Sequence, residues 1–216
     1  MSDDSINFSS AELADLDPEF KCNFINSLSG YKSVNLVGTI DSNKRTNLAI
    51  FNTIINVSTT PPLIGMLIKP PSTPRHTLNN IQETGFYTIN HIGPTFYHKA
   101  HQTAARYSQD DKSEFDIVGL TPYYSKAIIA PYVTESIVKF GVKMTEKHEI
   151  KGNGAVFIVG EVIEVILPKK FVLSDGFIDI GAAATITSSG LDTYYTTRKI
   201  ARLSYAKPGN DLTIIG

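Results

Sequence analysis

The sequence predicts a mainly β chain, folded as an antiparallel barrel or sandwich. From Tyr31 onward, short runs rich in β-branched and aromatic residues follow one another at hairpin spacing, divided by polar or proline-containing turns. Further on, Val138, Phe140, Val142 and Met144 alternate with Lys139, Gly141, Lys143 and Thr145, the period of a strand with one wet face. At 216 residues, 42% hydrophobic and 19% charged, the chain suits one sizeable core rather than a disordered polymer.

Residues 1–30 read as a helical lead-in and 31–216 as the β domain. Ser9 and Glu12 have capping-box spacing, and Asp17-Pro18 reads as an N-cap with proline at the first helical position. Phe20, Phe24, Ile25 and Leu28 recur at helical spacing up to Gly30, so this lead-in is expected to cover a barrel end or a partner subunit. A first strand runs from Val34 to Ile40, and Asp41–Arg45 is a polar turn. Asn47–Val57 reads as one second strand, Thr60-Pro61-Pro62 as punctuation, and Leu63–Lys69 as a third strand. Thr73 and Pro74 open a helix that stops at Gly85. Phe86–Ile92 returns to strand, and Thr95–Tyr107 has a helical stripe of Phe96, Ala100, Ala104 and Tyr107. Gln109–Asp116 reads as a charged, exposed link. Lys151–Gly154 is a turn into a return strand, Ala155–Leu167, apolar on both alternating faces. Such a strand lies centrally, or is covered outside by a helix or second subunit.

Composition excludes several functions. A net charge of -1 gives no basic surface for nucleic acid or an anionic membrane. The one cysteine, Cys22, cannot form an internal disulfide framework. Asp3 and Asp4 replace the positive start of a secretory signal, and no apolar run is long enough to span a bilayer, so a cytoplasmic location is expected. Neither GxGxxG nor GxxxxGK[ST] occurs. His98 and His101 are three apart on a helix, but no Cys or Glu cluster completes a metal set.

The chemistry points instead to Asn47–Thr77. Asn47, Asn52, Thr53, Asn56, Ser58 and Thr59 interrupt an apolar strand and its exit, where barrel strands normally bury alternating apolar residues. Either a satisfied backbone network or a hydrogen-bonding ligand explains them. Thr73-Pro74-Arg75-His76-Thr77 then puts a guanidinium, an imidazole and a hydroxyl in the first turn of a helix. Helix N-termini attract anions, and Arg adds a two-pronged phosphate contact. A phosphate-bearing ligand fits, as does an ordinary capped helix with exposed Arg75 and His76.

The run TNLAIFNTIINVSTTPPLIGMLIKPP followed by PRHTLNNIQETGFYTINHI resembles the core signature of the flavin reductase-like family. The segments SEFDIVGLTP, GEVIEVILP and RLSYAKPG resemble it too, so the likeness covers Tyr31 to Gly209 in order. It implies a six-stranded antiparallel Greek-key split β-barrel with peripheral helices, a homodimer with FMN at the subunit interface. The flavin ring would lie along Asn47, Leu48, Ala49, Phe51, Asn52 and Thr53, with backbone amides at its polar edge. Arg75, His76 and Thr77 would hold the phosphate, and His91 would line the pocket. Arg75→Ala and Thr77→Ala are expected to weaken FMN binding while leaving the fold intact.

The implied function is an FMN-dependent oxidoreductase that takes a hydride from NADH or NADPH and passes electrons on. The acceptor would be free flavin, a ferric chelate or a redox partner. The alternatives are a non-catalytic FMN-binding or carrier protein, a pyridoxamine-phosphate oxidase-like enzyme, and a cofactor-free barrel acting as an interaction protein.

Overall fold

The computed structural model describes residues 5–70, 76–107 and 112–215. Helix α1 spans Ser10–Asp15 and carries the expected capping box, Ser9 and Glu12 each accepting from the other's backbone N–H. Helix α2, Pro18–Leu28, starts under Asp17, whose carboxylate accepts from the Glu19 and Phe20 amides, both at 3.0 Å. Neither helix has a buried residue. The lead-in therefore packs only lightly on its own barrel, with Phe20, Ile25 and Leu28 exposed.

The chain then gives β1 (Lys32–Ser33), β2 (Asn35–Ile40), β3 (Thr46–Phe51), β4 (Ile54–Thr59) and β5 (Pro62–Ile68). Helix α3 (His76–Thr84) ends at Gly85, whose φ of +78° suits the left-handed stop expected there. Thr73, Pro74 and Arg75, the expected cap and phosphate ligand, lie outside the described residues. Next come β6 (Phe86–His91), α4 (Tyr97–Gln102), α5 (Glu114–Val118), β7 (Pro122–Tyr123) and β8 (Tyr132–Val133). The long hairpin β9 (Lys139–Ile150) and β10 (Ala155–Ile166) follows, then β11 (Thr187–Ser189) and β12 (Thr193–Tyr195).

Seven of these strands form one antiparallel sheet in the order β3-β2-β6-β9-β10-β5-β4. This corrects the expected six strands. The stretch read as one strand, Asn47–Val57, breaks at Asn52 and Thr53: up to Phe51 it pairs with β2, and from Ile54 it pairs with β5. The two edge strands are thus neighbours in sequence, and the sheet curls until its edges meet at this corner without a closing ladder. Other parts of the chain satisfy the corner. Asn52 donates to the Gly190 carbonyl at 3.2 Å, Thr53 donates to the Leu67 carbonyl at 2.6 Å, and Leu67 N–H donates back at 3.1 Å.

Inside the curl, Val37, Met66, Ile81, Tyr87, Ile89, Val142 and Ile158 form the main core. Burial of each aliphatic side chain stabilises the fold by about 1.5–3 kcal/mol. A second cluster, with Leu36, Leu48, Phe96 and Phe115, packs α4 and α5 on the β2–β3 end. Two expectations change here. Helix α4 is shorter than Thr95–Tyr107, because after Gln102 the chain makes single turns, with the Thr103 hydroxyl donating to Ala100 at 2.7 Å. The charged link contains α5, capped by Ser113 and pinned by the buried Phe115, so part of it is structural; Gln109–Asp111 lie outside the described residues. As expected, β10 is central, between β9 and β5. On the outer side of β4, Ile55 and Val57 are 56% and 44% exposed, which leaves an apolar patch open.

Candidate functional site

A cleft of about 530 Å³ opens at the β3–β4 corner. Its walls are β3, the end of β5, the start of α3, the turns after α4, and the β11–β12 hairpin. Of the residues singled out in the sequence, Asn47, Ala49, Phe51, Asn52, Thr53, His76 and Thr77 all line it. Leu48 does not: its side chain points into the α4–α5 cluster and is fully buried. Its outward backbone N–H donates to the Glu114 carboxylate at 3.0 Å. By the two-residue period of an antiparallel edge, Ile50 carries the next outward N–H, and Ile50 lines the cleft.

At the α3 end the polar residues form a buried network. Asn47 donates to Thr77 at 3.0 Å and to Thr39 at 3.2 Å, and Asn80 donates to Thr39 at 3.2 Å. Asn47 and Thr77 therefore belong both to this satisfied network and to the cleft wall. A smaller polar pocket of about 250 Å³ adjoins the cleft, sharing Asn47, His76 and Glu114, with Lys44, Arg45 and Lys112 on its other walls. Lys69 and Arg106 line the main cleft, so cations concentrate around this end.

His91 sits elsewhere, at the end of β6. It is not among the cleft-lining residues; its Nδ1 is 3.1 Å from the Thr185 hydroxyl and its ring packs on Phe140. Burial pushes its pKa down to about 4. His98 and His101 lie together on α4, and among the described residues no three His, Cys, Asp or Glu side chains gather as a metal set.

Sequence reasoning missed the far wall. Ser188, Leu191 and Tyr194 reach the cleft from the β11–β12 hairpin, held there by the bond from Asn52 to Gly190. Ser188 is 3% exposed, and its hydroxyl is one of three buried side-chain polar atoms among the described residues with no hydrogen-bond partner. A buried hydroxyl without a partner is costly unless a ligand satisfies it. No local pattern around Ser188 signals this, since its neighbours Thr187 and Ser189 carry hydroxyls of the same kind.

A cleft with an apolar strand on one side, an orphaned hydroxyl on another and cations at one end suits a flat, polar-edged ligand carrying an anionic tail. Residues 31–177 match the family model described as "Flavin reductase like domain". A split barrel domain protein of Shewanella frigidimarina NCIMB 400, named as a candidate flavin reductase, is 47% identical over 94% of this chain and 100% of its own, with a TM-score of 0.90. Two more distant structures share the fold. Nitrilotriacetate monooxygenase component B of Bacillus cereus has a TM-score of 0.80 at 18% identity, covering 92% of this chain and 100% of its own. Flavoredoxin of Desulfovibrio vulgaris (Miyazaki F) has a TM-score of 0.65 at 24% identity, covering 83% and 92%. Among the described residues, no helix is long and apolar enough to cross a membrane.

Proposed function

The chain belongs to the flavin reductase like domain family, and on that premise we propose that it is an FMN-dependent oxidoreductase whose cofactor occupies the corner cleft. The observation that carries this reading is the corner cleft itself, whose walls include the strand and helix start singled out in the sequence. Bound FMN would accept a hydride from NADH or NADPH and release electrons to an acceptor.

The chain's own residues supply binding and orientation. Ile50 N–H and the Ser188 hydroxyl offer donors to the polar edge of the ring. Phe51 and Leu67 supply apolar surface. His76 and Thr77, with Lys69 and Arg106 nearby, would meet the phosphate. Arg75 is assigned the same role on the family resemblance. Asn52 spends one amide hydrogen on Gly190, which leaves one for the ring.

The homodimer is part of this proposal. Leu67 lines the cleft and also belongs to the outer face of β5, beside the exposed Ile55 and Val57. A second copy on that patch would cover apolar surface and close the cleft together. The test is the visible spectrum of the purified protein, loaded with FMN, desalted, then treated with NADH without oxygen. A flavin spectrum that survives desalting and bleaches with NADH supports the oxidoreductase. Retained but unbleached flavin would make it a carrier, and a colourless protein would overturn the site.

A further inference from the structure

Ser188 and Tyr194 are directly paired across the β11–β12 ladder, and both line the cleft. The Tyr194 hydroxyl is 2.7 Å from Nδ1 of His101 on α4. Its ring is held against Tyr97, with centroids 5.5 Å apart, and packs on the α4–α5 cluster. His101 is exposed. Tyr194 therefore lines the cleft while its phenol is hydrogen-bonded to an imidazole in solvent.

We propose that Tyr194 and His101 form a proton-delivery pair for an organic acceptor bound in the cleft, one that takes a hydride and a proton across a polarised double bond, such as a conjugated carbonyl. This rests on the oxidoreductase reading above and narrows its acceptor. Ferric chelates and one-electron partners need no such proton. The electron pair and one hydrogen come as hydride from the reduced flavin. The Tyr194 O–H bond breaks and gives the second hydrogen to the acceptor. The phenolate takes the Nδ1 proton of His101 while Nε2 takes one from solvent, so the pair ends uncharged. When His101 Nδ1–H donates to the phenol oxygen, the phenol's own hydrogen is free to point at the cleft.

The surroundings suit this role. Burial first, then the Asp192 carboxylate, hold the Tyr194 phenol above its ordinary value, so it stays a protonated donor. Among the other titratable groups, Tyr97 is in ring contact with it and His98 sits against Tyr97 on α4, while Lys69, His76, Arg106 and Glu114 share the cleft lining and Tyr31 packs on the adjoining Tyr195. Tyr194 is the catalytic residue; His101 acts through it.

The test compares two acceptors with the FMN-loaded protein reduced by NADH without oxygen: cyclohexenone, which needs a proton, and ferricyanide, which does not. In Tyr194→Phe the ratio of cyclohexenone to ferricyanide rates should fall by about 10²-fold, the low end for a lost general acid. In His101→Gln the ratio should fall too, and its pH profile should lose the imidazole ionisation. An unchanged ratio in Tyr194→Phe, a profile unchanged in His101→Gln, or a wild type that reduces ferricyanide but never cyclohexenone would overturn the proposal. Without flavin, NMR reads the pair directly: Tyr194→Phe should move the His101 Nδ1 resonance, and an unmoved resonance would deny the bond in solution. A protein that fails to retain FMN overturns the oxidoreductase reading, and the redox role of the pair with it.

Discussion

The side-chain amide of Asn47 donates to the Thr77 hydroxyl at 3.0 Å, tying the first residues of β3 to the first turn of α3. Both are buried, so the bond closes the floor of the cleft rather than decorating its rim.

That bond changes what Thr77 substitutions should do. Thr77→Val keeps the shape but leaves an Asn47 donor short of its acceptor, which should cost about 1–3 kcal/mol of stability as well as flavin affinity. Thr77→Ser should restore most of both. Urea unfolding of the ligand-free protein checks it, and a wild-type midpoint for Thr77→Val would show that the bond contributes nothing.

Ser188 predicts the opposite pattern. Its hydroxyl has no partner in the ligand-free protein, so Ser188→Ala should leave the unloaded melting temperature unchanged or slightly raised. FMN affinity should fall by the worth of one hydrogen bond, about 0.5–1.5 kcal/mol. Equal dissociation constants for wild type and variant, by fluorescence titration, would remove Ser188 from the site.

Gly38 is a packing prediction. A Cβ there would overlap the Pro131 carbonyl oxygen and stand 2.7 Å from the Thr88 hydroxyl. Those two atoms already share a hydrogen bond of 2.6 Å and cannot separate cheaply. Gly38→Ala should therefore destabilise by about 1–3 kcal/mol. Thermal unfolding would detect it as a clear drop in melting temperature.

His91 sets a pH dependence. Its folded pKa of about 4 lies below its ordinary 6.5, so below pH 6.5 the unfolded chain binds a proton that the folded one refuses. Stability is full above pH 6.5 and is lost as pH falls toward 4, by about 3 kcal/mol at the acid end. His91→Gln should flatten that slope. Denaturant midpoints of both proteins at pH 7 and pH 4.5 decide it: parallel losses would mean that His91 is not the group responsible.

Much of this was legible in the chain. The capping box at Ser9 and Glu12, the stop at Gly85 and the β9–β10 hairpin stand where local chemistry puts them. Seven of the ten expected site residues line one cleft. Leu48 and His91 lie off it, and Arg75 is outside the described residues. Leu48 turns its side chain away because alternation along a strand sends every second side chain to the other face, while its backbone N–H points outward to Glu114.

Caps, turns and strand period are set by residues a few positions apart, so the sequence alone determined the capped helix starts, the hairpin strands and the polar stretch that becomes one wall of the cleft. Tertiary structure decided what no local pattern encodes. The strand from Asn47 breaks at Asn52, and its two halves pair with different partners, β2 and β5. Ser188 and Tyr194 join the site because Asn52 fastens to Gly190, 138 residues away. Whether such distant groups meet depends on how the whole sheet curls around its shared core, and that is settled only when the core is buried.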